Sequence, residues 1–212
     1  MGEAALARLK EGNERFVSNV RSLDSLLSHT RRGELADAQQ PFAIVLGCSD
    51  SRVPAEIVFD QGLGDLFVIR VAGNVVAPSQ IGSVEFAATR FGTRLVVVMG
   101  HSRCGAIAAT LEELWRPDAN QSRNLRSIVE RIRPSVEPLL DAPPGDDDAL
   151  IARAVRANVR AAANQMRHGS EILEQLIANE GLRVVGAEYS LETGRVDFFD
   201  GVESLRPAPS GE

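Results

Sequence analysis

The chain has 212 residues, a formal net charge of -6 and an apolar fraction of 44%. These values are typical of a globular protein with one sizeable core, and the lack of a long Lys/Arg block argues against nucleic-acid binding. No stretch approaches the roughly 20 uninterrupted apolar residues of a membrane span. We therefore expect a cytoplasmic protein with one domain over residues 1–212, made of an amino-terminal helical arm at 1–35 and an α/β core at 36–205.

Apolar runs bounded by turn residues predict strands that alternate with helices along the chain. The predicted strands are, in order, 42–47, 66–70, 95–100, 184–187 and 196–199. The predicted helices are 3–18, 22–29, 55–59, a helix that follows 78–79 and runs to about 91, 106–115, and 123–140 with a break or bend near its two prolines. They end with a long helix that follows 143–148 and is interrupted at 169–170, and with 171–179. This alternation favours an α/β fold with a mostly parallel sheet, about four parallel strands and one antiparallel edge strand, flanked by helices.

Two of these strands end in residues that can bind a metal. The motif Cys48-Ser-Asp-Ser-Arg52 follows the first strand, and His101-Ser-Arg-Cys104 follows the third. If these strands are parallel neighbours, their carboxyl ends bring Cys48, His101 and Cys104 to one edge of the sheet. Two thiolates and one imidazole, with a fourth position left open, are the ligands of a catalytic zinc site. A disulfide between the two cysteines is the structural alternative, which a reducing cytoplasm disfavours.

Taken together, the two motifs resemble those of β-class carbonic anhydrases. The segments 12–16, 70–74 and 82–87 carry the same resemblance. It implies one Zn2+ per chain on the three ligands, and reversible hydration of CO2 to bicarbonate and a proton by attack of a zinc-bound hydroxide. It also implies a homodimer or homotetramer, in which amino-terminal helices pack on a neighbouring subunit and the substrate pocket is shared between subunits.

Asp50 and Arg52 are the residues that the resemblance assigns to catalysis. Asp50 could accept a hydrogen bond from the zinc-bound hydroxide, or its carboxylate could become a fourth ligand and close the site. A charge-assisted pair with Arg52 would hold Asp50 off the metal, whereas the structural alternative is a surface ion pair of little energetic weight. Because two thiolates neutralise Zn2+, we expect the pKa of the bound water to exceed the value of about 7 for three-histidine zinc, and activity to rise towards alkaline pH.

Three further residues are candidates for substrate binding. Gln39 stands nine residues before Cys48, where one branch of the family keeps a substrate-binding glutamine, and Val45 stands where the bicarbonate-inhibited branch has tryptophan. The chain therefore resembles the branch that bicarbonate does not inhibit. Phe67 matches an aromatic wall of the CO2 pocket, and Phe86 falls where some members have tyrosine. A solvated loop for the glutamine and core packing for both phenylalanines are the structural alternatives.

The sequence leaves two other functions open. An enzyme of the same fold could hydrolyse carbonyl sulfide or carbon disulfide with the same metal chemistry, since only pocket shape and access would differ. A non-enzymatic zinc-binding module could also keep the fold, and a degraded Asp–Arg pair or a fourth protein ligand would favour it. The sequence contains neither of these two features.

Overall fold

The computed structural model describes residues 1–22, 32–33, 35–117, 122–140 and 147–202. Within these ranges the chain forms a five-stranded sheet with the order β2-β1-β3-β4-β5. The strands are β1 Ala43–Gly47, β2 Leu66–Arg70, β3 Leu95–His101, β4 Arg183–Tyr189 and β5 Val196–Asp200. The first four strands are mutually parallel, and β5 pairs antiparallel with β4 at one edge. The predicted fold class is confirmed.

Helices surround the sheet throughout the described ranges. In chain order they are α1 Gly2–Val17, α2 Ala55–Val58, α3 Pro78–Arg90, α4 Gly105–Trp115, α5 Arg123–Val136, α6 Asp147–His168 and α7 Glu171–Glu180. Two 3-10 turns, Ala72–Asn74 and Glu137–Leu139, follow β2 and α5 respectively. None of these described helices is long and apolar enough to cross a membrane.

The central strands β1 and β3 consist largely of branched apolar residues, and every residue in them is buried. Such continuous burial is typical of parallel strands that are covered by helices on both faces. Because side chains alternate along a strand, Ile44 and Val96 enter the apolar cluster formed with α3, α6 and α7. Their neighbours Val45 and Val97 enter a second cluster, formed with α1 and α2.

A third apolar cluster lies beyond the carboxyl edge of the sheet, among α4, α5 and α6. Its buried members include Ile107, Ile132 and Val155. Cys48 and Cys104 belong to the same cluster. The two cysteines are therefore core residues of the fold as well as candidate ligands.

The first helix, α1, packs on the sheet of its own chain. Leu9 is fully buried there. Asn13 donates hydrogen bonds to the carbonyl oxygens of Val58 (3.1 Å) and Gly194 (2.8 Å), and its Oδ1 accepts one from the backbone N–H of Val196 (2.9 Å). A single buried amide thus joins α1 to the end of α2 and to the start of β5.

The expectation that an amino-terminal arm at 1–35 packs on a neighbouring subunit stays a prediction, as does the core boundary at 36–205. The predicted second helix, 22–29, lies outside the described residues except for its first residue.

The predicted helix 123–140 breaks near the second of its two prolines, as expected, and runs through the first, Pro134. α5 ends at Val136 and the chain continues as the 3-10 turn. Proline lacks a backbone N–H, so Pro138 cannot donate the helical hydrogen bond to the carbonyl of residue 134. The predicted interruption at 169–170 is present between α6 and α7, where the Ser170 hydroxyl accepts a hydrogen bond from the backbone N–H of Leu173.

Candidate metal centre

The three predicted ligands meet at the carboxyl edge of the sheet. Cys48 directly follows β1, His101 is the last residue of β3, and Cys104 is the residue before α4. Because β1 and β3 are adjacent strands, the three buried side chains converge. Their ligand atoms all lie within 4.8 Å of one another.

The 3-10 turn that follows β2 covers the sulfur of Cys48. The backbone N–H of Gly73 donates a hydrogen bond to this Sγ over 3.4 Å. Gly73 has a φ of 67°, in the left-handed region, and a Cβ at this position would lie 2.8 Å from Cδ1 of Ile132. Asn158 holds the turn from the other side by donating to the carbonyl of Gly73 over 2.8 Å. A residue with a side chain would be strained here, and the N–H of Gly73 stabilises negative charge on the sulfur.

His101 has one ring nitrogen engaged and one free for a metal. Nδ1 lies 2.9 Å from the carbonyl oxygen of Ser102, an acceptor, so Nδ1 carries the proton and donates it. Nε2 is therefore the unprotonated nitrogen. It is fully buried and has no hydrogen-bond partner. A buried acceptor without a partner is costly, and a metal ion would satisfy it.

Cys104 lies at the amino end of α4, where the backbone N–H groups of Ala106 and Ile107 favour a thiolate. Without metal, however, its thiol shares a proton with Cys48. A hydrogen bond from Cys104 lowers the pKa of Cys48 to about 4. The same contact, together with burial, raises the pKa of Cys104. The pocket by itself therefore holds one thiolate and one thiol.

These residues fit Zn2+. Two sulfurs and one imidazole nitrogen are its preferred donors, and the three atoms are close enough to share one ion. The unpartnered Nε2 of His101 is the observation that supports a metal most directly, because burial removes it from water and it makes no hydrogen bond in the described structure.

Asp50 lies beside the three ligands and is held by Arg52. Nε and Nη2 of Arg52 donate to the two carboxylate oxygens over 2.9 Å and 2.8 Å, and the backbone N–H of Arg52 donates to Oδ1 over 3.0 Å. These contacts hold the pKa of Asp50 well below its usual range. Oδ2 of Asp50 lies 3.8 Å from Nε2 of His101. A carboxylate that stays ionised therefore faces the metal position.

Arg70, to which the sequence assigned no role, fixes the backbone of this motif. It is the last residue of β2, and its guanidinium donates to the carbonyl oxygens of Cys48 (3.1 Å) and Asp50 (2.6 Å). Arg70 and Gly73 both lie in the segment 70–74 that carried the family resemblance. The sequence did offer one signal: Gly73 follows an apolar strand, and a glycine at such a place often marks a close approach of the backbone to another group, here the sulfur of Cys48.

Gln39 is not near the metal position of its own chain. It is exposed and lies two residues before Pro41, whose carbonyl accepts a hydrogen bond from Thr93, two residues before β3. Gln39 is therefore at the amino edge of the sheet, whereas Cys48 is at the carboxyl edge. The five residues of β1 separate these edges by about 17 Å.

Phe67 and Phe86 lie together on one side of the sheet. Phe67 pairs in register with Ile44, four residues before Cys48, and is partly buried. Its ring centroid is 6.3 Å from that of Phe86, whose side chain on α3 is 53% exposed. Phe91 completes this aromatic cluster, 5.5 Å from Phe86 in an edge-on contact. Within one chain, the register places the cluster about 13 Å along the strand from the ligands.

Comparisons with known proteins agree with this site. Residues 43–196 match the carbonic anhydrase family model. The chain is 43% identical over 195 residues to a carbonic anhydrase of Mycolicibacterium smegmatis, covering 92% of each chain. It is 42% identical over 204 residues to carbonic anhydrase 2 of Mycobacterium tuberculosis, covering 95% of each.

Solved structures show the same fold. The β-carbonic anhydrase CafA of Aspergillus fumigatus aligns with a TM-score of 0.73 at 26% identity, over 94% of this chain and 91% of that one. A tetrameric β-carbonic anhydrase of Sordaria macrospora aligns with a TM-score of 0.69 at 28% identity, over 79% and 85%. The chain belongs to the carbonic anhydrase family, and within it to the β class.

Proposed function

We propose that this protein is a zinc-dependent carbonic anhydrase, a lyase that interconverts CO2 and bicarbonate. The buried set of Cys48, His101 and Cys104, in which Nε2 of His101 has no partner, carries the proposal. The family match supports it. Neither the site nor the family match favours the two alternatives, hydrolysis of sulfur analogues of CO2 and a non-enzymatic zinc module.

The three ligands would hold one Zn2+ per chain. When bound, zinc supplies the Lewis acidity that makes water a nucleophile near neutral pH. The histidine would present Nε2, because its Nδ1 proton is donated to the carbonyl of Ser102. Both cysteines would bind as thiolates, so the residual proton on Cys104 leaves when the site fills.

Asp50 would orient the reacting water. Its carboxylate accepts hydrogen bonds but, being ionised, cannot donate one, so a water beside Oδ2 must point a proton at Asp50 and a lone pair away from it. Arg52 occupies both oxygens and thereby opposes rotation of the carboxylate onto the metal position. The buried apolar residues of the surrounding cluster provide an environment suited to CO2, a molecule without charge.

The pocket would be completed by a second copy of the chain. Gln39 and Phe86 are exposed, and Phe67 lies on the outermost strand of the sheet, so all three are accessible to a neighbouring subunit. This arrangement would require a homodimer or a homotetramer. The Sordaria macrospora relative is named tetrameric, which supports it. We assign the chain to the branch that keeps the glutamine, and to the cytoplasm, where two thiols remain reduced.

The test is stopped-flow CO2 hydration by the zinc-loaded protein at mildly alkaline and mildly acidic pH. We expect rapid hydration that is faster at alkaline pH and is abolished in Cys48→Ser. A protein that binds one zinc per chain and hydrates CO2 no faster than buffer would contradict the proposal.

A further inference from the structure

The segment between two of the ligands is held by a distant turn of the chain. We call residues 101–104 the ligand loop, and residues 190–195, which join β4 to β5, the hairpin turn. Ser102 and Arg103 of the ligand loop both contact Glu192 of the hairpin turn. The two segments are about 90 residues apart in sequence, so the fold brings them together.

Ser102 is fixed by three hydrogen bonds, one at its backbone nitrogen and two at its hydroxyl. Its backbone N–H donates to the carbonyl of Tyr189 over 2.9 Å. Its hydroxyl accepts from the backbone N–H of Leu191 over 3.0 Å and donates to Oε2 of Glu192 over 2.9 Å. A hydroxyl has one proton, and the serine donates it in the hydrogen bond to the carboxylate. An oxygen lone pair of the hydroxyl therefore faces the N–H of Leu191.

The carbonyl of the same Ser102 residue accepts the Nδ1 proton of His101. The orientation of this carbonyl decides the direction of the imidazole ring and hence of Nε2. Any rotation of the serine peptide would therefore turn the ligand atom away from the two sulfurs. Mutation of a partner that orients a ligating histidine commonly lowers metal affinity by about 10- to 100-fold.

Arg103 adopts an uncommon backbone conformation in the ligand loop. Its φ is 54°, in the left-handed region, which is strained for a residue with a side chain. This bend lets residues 101 and 104 present their ligand atoms to the same point. The guanidinium Nε of Arg103 lies 3.0 Å from Oε1 of Glu192, so both carboxylate oxygens support the loop.

We propose that Glu192 is a positioning residue for the metal centre: through the Ser102 hydroxyl, its carboxylate fixes the ligand loop and the direction of the His101 imidazole. It contacts neither metal nor substrate. The inference deepens the proposed function and rests on the metal site described there.

The Ser102 contact should matter more than the Arg103 contact. The side chains of Arg103 and Glu192 are 69% and 45% exposed, and ion pairs exposed to this degree are screened by solvent. The hydrogen bond from Ser102 to Glu192 is exposed as well, but it fixes a hydroxyl that also accepts the partly buried hydrogen bond from Leu191. The contact with Ser102 also lowers the pKa of Glu192, so the carboxylate is ionised at physiological pH.

The test measures zinc release, which does not require CO2. Zinc-loaded Glu192→Ala and Ser102→Ala are mixed with excess chelator, and we expect zinc to dissociate about tenfold faster than from the unchanged protein. Cobalt(II)-substituted forms of both variants should show altered visible absorption, because the ligand geometry changes. Glu192→Gln, whose amide oxygen can still accept the serine proton, should restore most of the slow release.

Three further variants separate positioning from general loss of stability. Glu3→Ala removes another exposed carboxylate, one that pairs with Arg183 at the far edge of the sheet, and should leave zinc release unchanged. Arg103→Gly removes the ion pair but suits the positive φ, and its release rate should stay within about threefold. The double variant Ser102→Ala/Glu192→Ala should release zinc no faster than Ser102→Ala alone, since one pathway connects the two residues.

Zinc release and cobalt spectra in Glu192→Ala and Ser102→Ala that match the unchanged protein would overturn the inference, and so would additive effects in the double variant. If the unchanged protein itself binds no zinc, both this inference and the proposed function fail. If the unchanged protein binds zinc tightly and the Glu192→Ala and Ser102→Ala variants release it at the same rate as the unchanged protein, only this inference fails.

Discussion

Asp50 and Arg52 are two residues apart and are joined by two parallel side-chain hydrogen bonds and one backbone hydrogen bond to the same carboxylate. Three donors hold Asp50 in one orientation, with Oδ2 facing the ring of His101 at 3.8 Å. The carboxylate is thus engaged by Arg52 while it remains within reach of the metal position.

We expect Arg52→Ala to lower CO2 hydration by about tenfold or more, because a carboxylate no longer held by Arg52 would not orient the reacting water. The freed carboxylate can rotate towards the metal and occupy the position that water needs. Steady-state stopped-flow hydration measures the loss, and Arg126→Ala, at an exposed arginine on α5, is the matched control. Activity equal to the unchanged protein, with Asp50 still off the metal in a crystal structure, would contradict this role.

Zinc binding should release close to one proton at pH 8. The pKa of Cys48 is lowered to about 4, so this thiol is already ionised. The pKa of Cys104 is raised above its usual value of 9.0, so it stays protonated until the metal displaces the proton. Because protons compete with zinc for Cys104, the affinity for zinc should fall as the pH is lowered below 8. Calorimetric titration in buffers of different ionisation enthalpy counts the protons. Two independent thiols with ordinary pKa values near 9 would release nearly two protons.

Two helix glycines should respond in opposite directions to the same substitution. At Gly12 a Cβ would lie 1.9 Å from the carbonyl oxygen of Phe59, so Gly12→Ala must push α1 from the core and should destabilise the fold by about 1–3 kcal/mol. At Gly82, on α3, a Cβ meets nothing within 4 Å, and Gly82→Ala should stabilise the fold by up to about 1 kcal/mol. Urea unfolding of both variants measures the difference, and equal free energies of unfolding would contradict it.

Gln39 can be tested by complementation between subunits. If Gln39 of one subunit serves the metal centre of the other, Cys48→Ser and Gln39→Ala should each be impaired alone. A mixed dimer of the two should contain one intact pocket and recover up to about half of the normal activity per dimer. The mixed dimer can be isolated with two different affinity tags. Activity no higher than the average of the parents would mean that Gln39 does not act across subunits.

The metal ligands could be predicted because each follows a long apolar run, and parallel strands deliver their carboxyl ends to one edge. The residues that support these ligands could not be predicted from the sequence, because they come from distant parts of the chain. Ser102 and Glu192 are separated by 90 residues, and Asn13 and Val196 by 183. No local pattern encodes such pairs.

The predicted break near Pro138 has an equally physical cause. The structure ends α5 at Val136 because Pro138 cannot donate a helical hydrogen bond. The position of Gln39 at the amino edge follows from its place before β1, yet only the fold shows that this edge is about 17 Å from the ligands.

Cys48 and Cys104 are core residues of the apolar cluster formed by α4, α5 and α6. An ion on both sulfurs would cross-link the end of β1 to the start of α4, and binding to the folded chain alone favours the folded state. Metal supply would then determine the protein's resistance to heat as well as its activity. In a cell short of zinc, the empty protein would be both inactive and easier to unfold, and so more exposed to proteolysis.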